Sequence, residues 1–289
     1  MFENKSAWKR ESFGDRLLIA SFYVIMAIFA LIVFLPLAYV LQVTFSTDVN
    51  YSFRLLPNEF SLMHYEYILN SGIITRPFLN SLCVTTGSVL FSMLLTVMMA
   101  YPLSRKELVG RTTLNTVLMF PMMISLGMIP GYLLIKDLGL MNSYWALLLP
   151  GAISTSNVII MRNFFSSLPE SLIESAQLDG ASEMRILFNI VVPLSKPSIA
   201  SISLFYMVDS WNEYFNVILY IRDRAKQTLQ VVLRQIVMKN EAVGSADAGI
   251  YEKNIQYAVV VVAMIPILMV YPLVQRHFTK GIMMGSVKG

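Results

Sequence analysis

Long apolar runs alternate with polar connections along the chain, and six of them, at about 17–43, 80–103, 113–135, 144–161, 198–220 and 255–275, set its pattern. A helix of about 17 to 25 residues crosses a hydrocarbon core about 30 Å thick, and each run meets that length. The pattern predicts an all-α polytopic membrane protein with six transmembrane helices. The first run is longer than the apolar core of a secretory signal, about 7 to 15 residues, and no small-residue cleavage site follows it, so it is expected to remain as the first span. The runs use about half of the 289 residues and leave no stretch for a separate soluble domain. One transmembrane domain, 1–289, is expected.

The connections set the orientation. With the N-terminus inside, the inner segments hold thirteen Lys and Arg and the outer ones nine, six of these in the long loop 221–254. The short connections carry the bias cleanly, which puts both termini in the cytoplasm of a multi-pass protein. The segment 162–197 then lies inside, and it far exceeds the roughly 2 to 8 residues that join neighbouring helices.

That inner segment has order of its own. Ser167, Pro169 and Glu170 form an arrangement in which the serine hydroxyl and the glutamate can cap a helix start reciprocally, with Pro169 in its first turn. Leu172, Ile173 and Ala176 give this helix a modest apolar face, and Gly180 permits the turn into a second helix from Ser182 to about Val191. The spacing fits two readings: a protrusion held in a groove of a soluble partner, or a loop lying on the headgroups.

The fifth run carries a polar stripe. On an ideal helix Tyr206, Asp209, Asn212, Glu213, Asn216 and Tyr220 fall within about 60° of one line. A carboxylate near the bilayer centre costs about 2.5 to 3.5 kcal/mol on insertion scales, so Asp209 and Glu213 are expected to face a watered cavity or a neighbouring helix rather than lipid. Carboxylates, amides and tyrosine rings suit the hydroxyls and flat faces of sugars. The alternative is interhelical glue. Trp211 falls on the opposite side and reads as a packing residue. Pro121, Gly127, Pro130 and Gly131 should kink or loosen the third run. Thr85, Thr86, Ser88, Ser92 and Thr96 read as close helix packing rather than a pore, and Arg162 as a side chain snorkelling from the fourth run.

Composition narrows the chemistry. Hydrophobic residues make up 56% and charged residues 14%, against about 25% charged in a soluble chain. The net charge of +4 comes with no basic run longer than two residues, so nucleic acid is not an expected partner. The single cysteine, Cys83, excludes an intrachain disulfide, and His64 and His277 fall on opposite sides of the membrane. No nucleotide-binding or hydrolase motif occurs. No enzyme activity, metal or cofactor is expected in this chain.

The residues Glu174-Ser175-Ala176, Asp179-Gly180-Ala181, Phe188, Ile190 and Pro193 resemble the EAA loop of ABC importer permeases, with Ser175 and Val192 as small departures. Pro36-Leu37-Ala38-Tyr39-Val40, Phe45-Ser46, Trp211-Asn212-Glu213, and the ending Lys280-Gly281-Ile282 with Gly285-Ser286-Val287-Lys288-Gly289 are similar to carbohydrate importers related to the smaller maltose permease subunit. The tail resembles the subgroup for larger oligosaccharides. The resemblance implies a type I importer fold in a bacterial cell membrane, with a coupling helix that docks on an ATPase through Glu174, Ala176, Asp179, Gly180 and Ala181. It implies a second homologous permease subunit, two ATP-binding subunits holding ATP and magnesium, and an extracytoplasmic solute-binding protein touching the loop 221–254. The six polar residues of the fifth run would line the path of a carbohydrate. A permease for peptides, polyamines or phosphonates, or an ATP-independent channel or membrane enzyme, are the rival readings.

Overall fold

The structure, a computed structural model, describes residues 13–47, 59–124, 127–242 and 249–285. The tail at 286–289 and part of the outer loop, 243–248, lie outside the described residues. The chain forms two compact units, one of Met1–Tyr67 with Ser245–Val261 and one of Ile68–Gly244 with Val262–Gly289.

In the first unit, α1 (Phe13–Thr44) is a long apolar helix, and none of its membrane-length window is buried. Its end is fixed by polar contacts with the start of α2 (Met63–Asn70). The Tyr65 hydroxyl donates to Thr44 Oγ1 at 2.9 Å, and buried His64 Nδ1 lies 3.2 Å from the Thr44 carbonyl. The rings of Phe45 and Phe60 stack at 4.9 Å beside a single bridge between Ser46 and Phe60.

The second unit is built around α3 (Thr75–Ser104). Ser81, Thr85, Ser92, Thr96 and Ala100 are buried at spacings of four and seven, a stripe of small residues that lets other helices approach closely. Gly87 extends this, since a Cβ there would stand 3.4 Å from the side chain of Leu148. After α3 come α4 (Arg111–Met123), α5 (Met128–Asp137), α6 (Trp145–Leu148) and α7 (Thr155–Ser166). Two short helices follow, α8 (Glu170–Leu178) and α9 (Glu183–Ile186). A π turn (Leu187–Val191) and α10 (Val192–Leu194) lead into α11 (Lys196–Trp211). α12 (Phe215–Tyr220), a 3-10 turn (Arg224–Lys226), α13 (Leu229–Ala242) and α14 (Gly249–Gly285) complete the order. The core joins Val97 and Ala100 of α3, Val158 and Met161 of α7 and Ile202 of α11, and it extends to Ile173 and Ala176 of α8.

The six expected spans are not all continuous helices, and the third is broken where loosening was expected. Among the described residues three helices are long and apolar enough to cross a membrane alone: Arg16–Thr44, Thr75–Ser104 and Asn254–Pro272. Two broken pairs raise that number to at most five. The third run divides before Gly127, whose φ of +75° no α-helix accommodates. The fourth divides between α6 and α7, where Pro150 lacks an amide hydrogen and Gly151 follows it. The fifth divides after Trp211.

Candidate functional site

Within the segment 162–197, two helices form an elbow packed on the end of α3. Ser167 does not cap α8: its hydroxyl donates to the Phe164 carbonyl at 2.7 Å, closing the preceding helix, and Pro169 is the residue at the N-cap. Glu170 instead pairs with Lys106 at 3.0 Å, across from the α3–α4 connection. Ile173 and Ala176 face the core, while Glu174 is exposed. At the other end Gly180 takes φ +77°; its N–H donates to the Gln177 carbonyl and the Ala181 N–H to the Ala176 carbonyl, both at 3.0 Å. This pair of bonds is the Schellman closure of a helix, which the left-handed glycine makes possible. The second helix is shorter and less regular than a continuous one over 182–191, because α9 gives way to the π turn after Ile186.

Glu183 fastens the elbow. Its carboxylate accepts from the Tyr101 hydroxyl at 2.6 Å and from Gln177 Nε2 at 2.9 Å, joining α3, α8 and α9. The Tyr101 hydrogen bond holds the carboxyl below its ordinary range against the opposing effect of burial, helped by Gln177 and by the charge of Arg105. Beside this tie lies a mostly apolar cavity of about 540 Å³ with Met98, Pro102, Leu108 and Leu187 in its wall. Beyond the elbow, the arm Glu183–Leu194 meets α11 at 84°.

A second, polar cavity of about 250 Å³ lies where α3, the α6–α7 connection and the end of α11 meet. Of the six stripe residues it takes Tyr206, Asp209 and Glu213, joined by Ser88 of α3 and by Gly151 and Ser154. Asp209 is exposed and its carboxylate has no partner among the described residues. Glu213 is engaged: its carboxylate accepts from the Asn216 N–H and from Asn216 Nδ2, both at 3.0 Å, and so caps α12. The Tyr206 hydroxyl is also committed, 2.7 Å from Thr96 Oγ1 and accepting the Ser154 N–H at 3.2 Å.

The other three stripe residues are not in this cavity. Asn212 turns back to the Val208 carbonyl at 2.8 Å. Asn216 is spent on Glu213, and the Tyr220 ring stacks on Tyr132 at 6.4 Å. The ideal-helix projection assumed one continuous helix, and the break after Trp211 rotates the second half of the stripe away. Trp211 is 1% exposed, donates from its indole N–H to the Ala263 carbonyl at 3.0 Å and meets the edge of Phe78, so it packs. Arg162 does not snorkel freely: its Nη1 donates to Asn115 Oδ1 at 2.8 Å, pinning α7 to α4.

Residues 92–284 match the family described as binding-protein-dependent transport system inner membrane component. The chain belongs to that family. It is therefore a permease subunit of an ABC importer and not an enzyme, and a multi-pass membrane protein. Among its permease relatives, the polygalacturonan/rhamnogalacturonan transport system permease protein YtcP of Bacillus subtilis (strain 168) is 47% identical over 95% of this chain and 99% of its own length. The protein LplC of the same organism is 42% identical over 89% of this chain and 90% of its own. In the crystal structure of a bacterial ABC transporter involved in the import of the acidic polysaccharide alginate, one chain superposes with a TM-score of 0.85 at 31% identity. It covers 92% of this chain and 98% of that one.

Within this permease, sequence reading found the elbow and one wall of the polar cavity. It assigned Ser88 to helix packing, whereas Ser88 lines the cavity, and it missed Gly151 and Ser154; the three come from two other elements. The Pro150-Gly151 pair was the available signal, since a helix break at membrane depth is tolerated where the freed backbone is buried or lines a cavity.

Proposed function

We propose that this permease carries an oligosaccharide, of the uronate-containing class named for its relatives, through the polar cavity between α3, α7 and α11. The observation that carries the reading is Asp209, a carboxylate without a partner among the described residues, in a cavity whose other polar groups are hydroxyls, a backbone break and the Glu213 carboxylate already engaged by Asn216. A free carboxylate accepts two adjacent sugar hydroxyls, which a lipid or an apolar solute cannot supply. At about 250 Å³ the cavity falls just under the usual range of ligand pockets, about 300 to 1,000 Å³, and suits passage of a chain one ring at a time.

In this proposal both termini are cytoplasmic, and a homologous second permease subunit completes the path. Two ATP-binding subunits with ATP and magnesium dock on Glu174, Ala176, Asp179, Gly180 and Ala181, so that no cofactor sits in this chain. An extracytoplasmic solute-binding protein delivers the sugar to the loop 221–254. The exposed Glu174, the buried Ala176 that lets the elbow sit close to the core, and the Schellman turn at Gly180 support that docking.

The test is uptake by the assembled importer, with its binding protein, in proteoliposomes. Asp209→Ala should lower sugar uptake about tenfold, as loss of a charged hydrogen-bonding partner of about 1.5 kcal/mol or more implies, while leaving assembly and ATPase activity intact. Glu213→Ala should also destabilise the start of α12, by about 0.5 to 2 kcal/mol, because Glu213 caps that helix. Uptake kinetics unchanged in Asp209→Ala would remove the cavity from the path.

A further inference from the structure

Positive charge gathers on a short, well-anchored loop at the end of α12, outside the polar cavity. The loop is tied down at four points. Asn80 of α3 donates to the carbonyls of Ala225 and Gln227, both at 2.9 Å. Ser81 Oγ accepts the Leu229 N–H at 2.8 Å, and the Asp223 N–H donates to Asn142 Oδ1 at 3.0 Å. Lys226 is used in the same way, its Nζ donating to the Asn142 carbonyl at 2.9 Å. The one acidic group of the loop, Asp223, is exposed, and its Oδ1 accepts the Ala225 N–H at 2.9 Å.

The exposed charge is cationic in excess, with Asp223 between two arginines. Arg222 and Arg224 are exposed, with no ion pair or side-chain hydrogen bond among the described residues. Arg76 is exposed likewise, one helical turn before Asn80. Three guanidinium groups without ion pairs among the described residues thus stand on and beside an anchored loop that carries a single carboxylate. An ordinary solvated loop pairs its charges or lets them spread; here the backbone is held and the guanidinium groups are left without anions.

We infer that Arg76, Arg222 and Arg224 form a rim that receives the carboxylates of an anionic oligosaccharide and sets the importer's preference for charged over neutral sugars. The inference rests on the proposed oligosaccharide path and on the loop lying outside the membrane. A guanidinium matches a carboxylate in a two-point fork, and a ring of like charges at a mouth concentrates the opposite charge before entry. Asp209 then has a complementary effect: it accepts sugar hydroxyls but repels a ring carboxylate, so a uronate chain drawn in by the rim is not trapped deeper in the path.

The experiment is uptake of trigalacturonate and of a neutral trisaccharide by the assembled importer with its binding protein, in proteoliposomes, for the native chain and for the double variant Arg222→Gln/Arg224→Gln. The native importer should take up trigalacturonate with a KM that rises steeply with salt. The double variant should raise that KM about tenfold and flatten its salt dependence, and Arg222→Lys/Arg224→Lys should restore most of the salt dependence. Equal KM values in the native chain and the Gln variant would overturn the rim. So would a loss of binding-protein affinity that matches the loss of uptake, since the arginines would then hold the protein and not the sugar. Native uptake of the neutral sugar alone would overturn the rim and the uronate class but leave an oligosaccharide path standing. Uptake of neither would overturn the path as well.

Discussion

Gly180 has φ +77° and nothing within 4 Å of the place where a Cβ would stand. A side chain there costs about 1 to 2 kcal/mol in backbone conformation and meets no neighbour in this chain. Gly180→Ala should therefore lower thermal stability slightly and keep transport. Gly180→Arg should carry the same backbone cost and place a charged chain outward from the elbow, reducing sugar-stimulated ATPase activity of the assembled importer more than tenfold. Full stimulation in the Arg variant would remove the elbow as the linkage. Gly180 was legible because its conformation is a property of the residue itself. Tyr206 was half legible: periodicity put it on the polar face, but only the positions of Thr96 and Ser154 show that its hydroxyl is used to hold three elements together. Contacts that distant in sequence leave no periodic trace.

At the scale of elements, the elbow is closed by the Glu183 carboxylate. The Tyr101 hydrogen bond depresses its pKa in the folded state, so its contribution to stability is complete above the ordinary glutamate pKa, about 4.3, and is lost as pH falls through the folded value. Acidification from about pH 4.5 downward should weaken the tie, and Glu183→Gln should remove that part of the pH dependence. The check is the thermal midpoint of the detergent-solubilised complex across this range; parallel curves for native and variant would show that the carboxylate does not hold the elbow. Helix starts, stops and apolar faces were readable because proline, glycine and spacing encode them. The breaks in the third, fourth and fifth runs were harder to place. Hydropathy averages across an interruption, and membrane helices accept proline and glycine wherever neighbours resatisfy the backbone. The consequence fell on the candidate path: a stripe drawn on one ideal helix kept Tyr206, Asp209 and Glu213 and lost Asn212, Asn216 and Tyr220.

At the scale of the molecule, the fold class and the importer family were legible from six apolar runs and one motif, since lipid leaves helical bundles few alternatives and the elbow residues are local in sequence. The cavity was not, because it is assembled from α3, α6–α7 and α11, and no window of sequence contains all three. α1 carries a different message. Its span Arg16–Thr44, 29 residues, is about 44 Å long as a helix, against a hydrocarbon core of about 30 Å, and none of its 18-residue apolar window is buried within the chain. A rigid apolar rod half as long again as its solvent is thick has to lean, emerge at its ends or thicken the lipid around it. Each of these stores elastic energy in the surrounding membrane, and bilayer thickness thereby becomes a thermodynamic variable of this subunit, set by lipid chain length rather than by any residue.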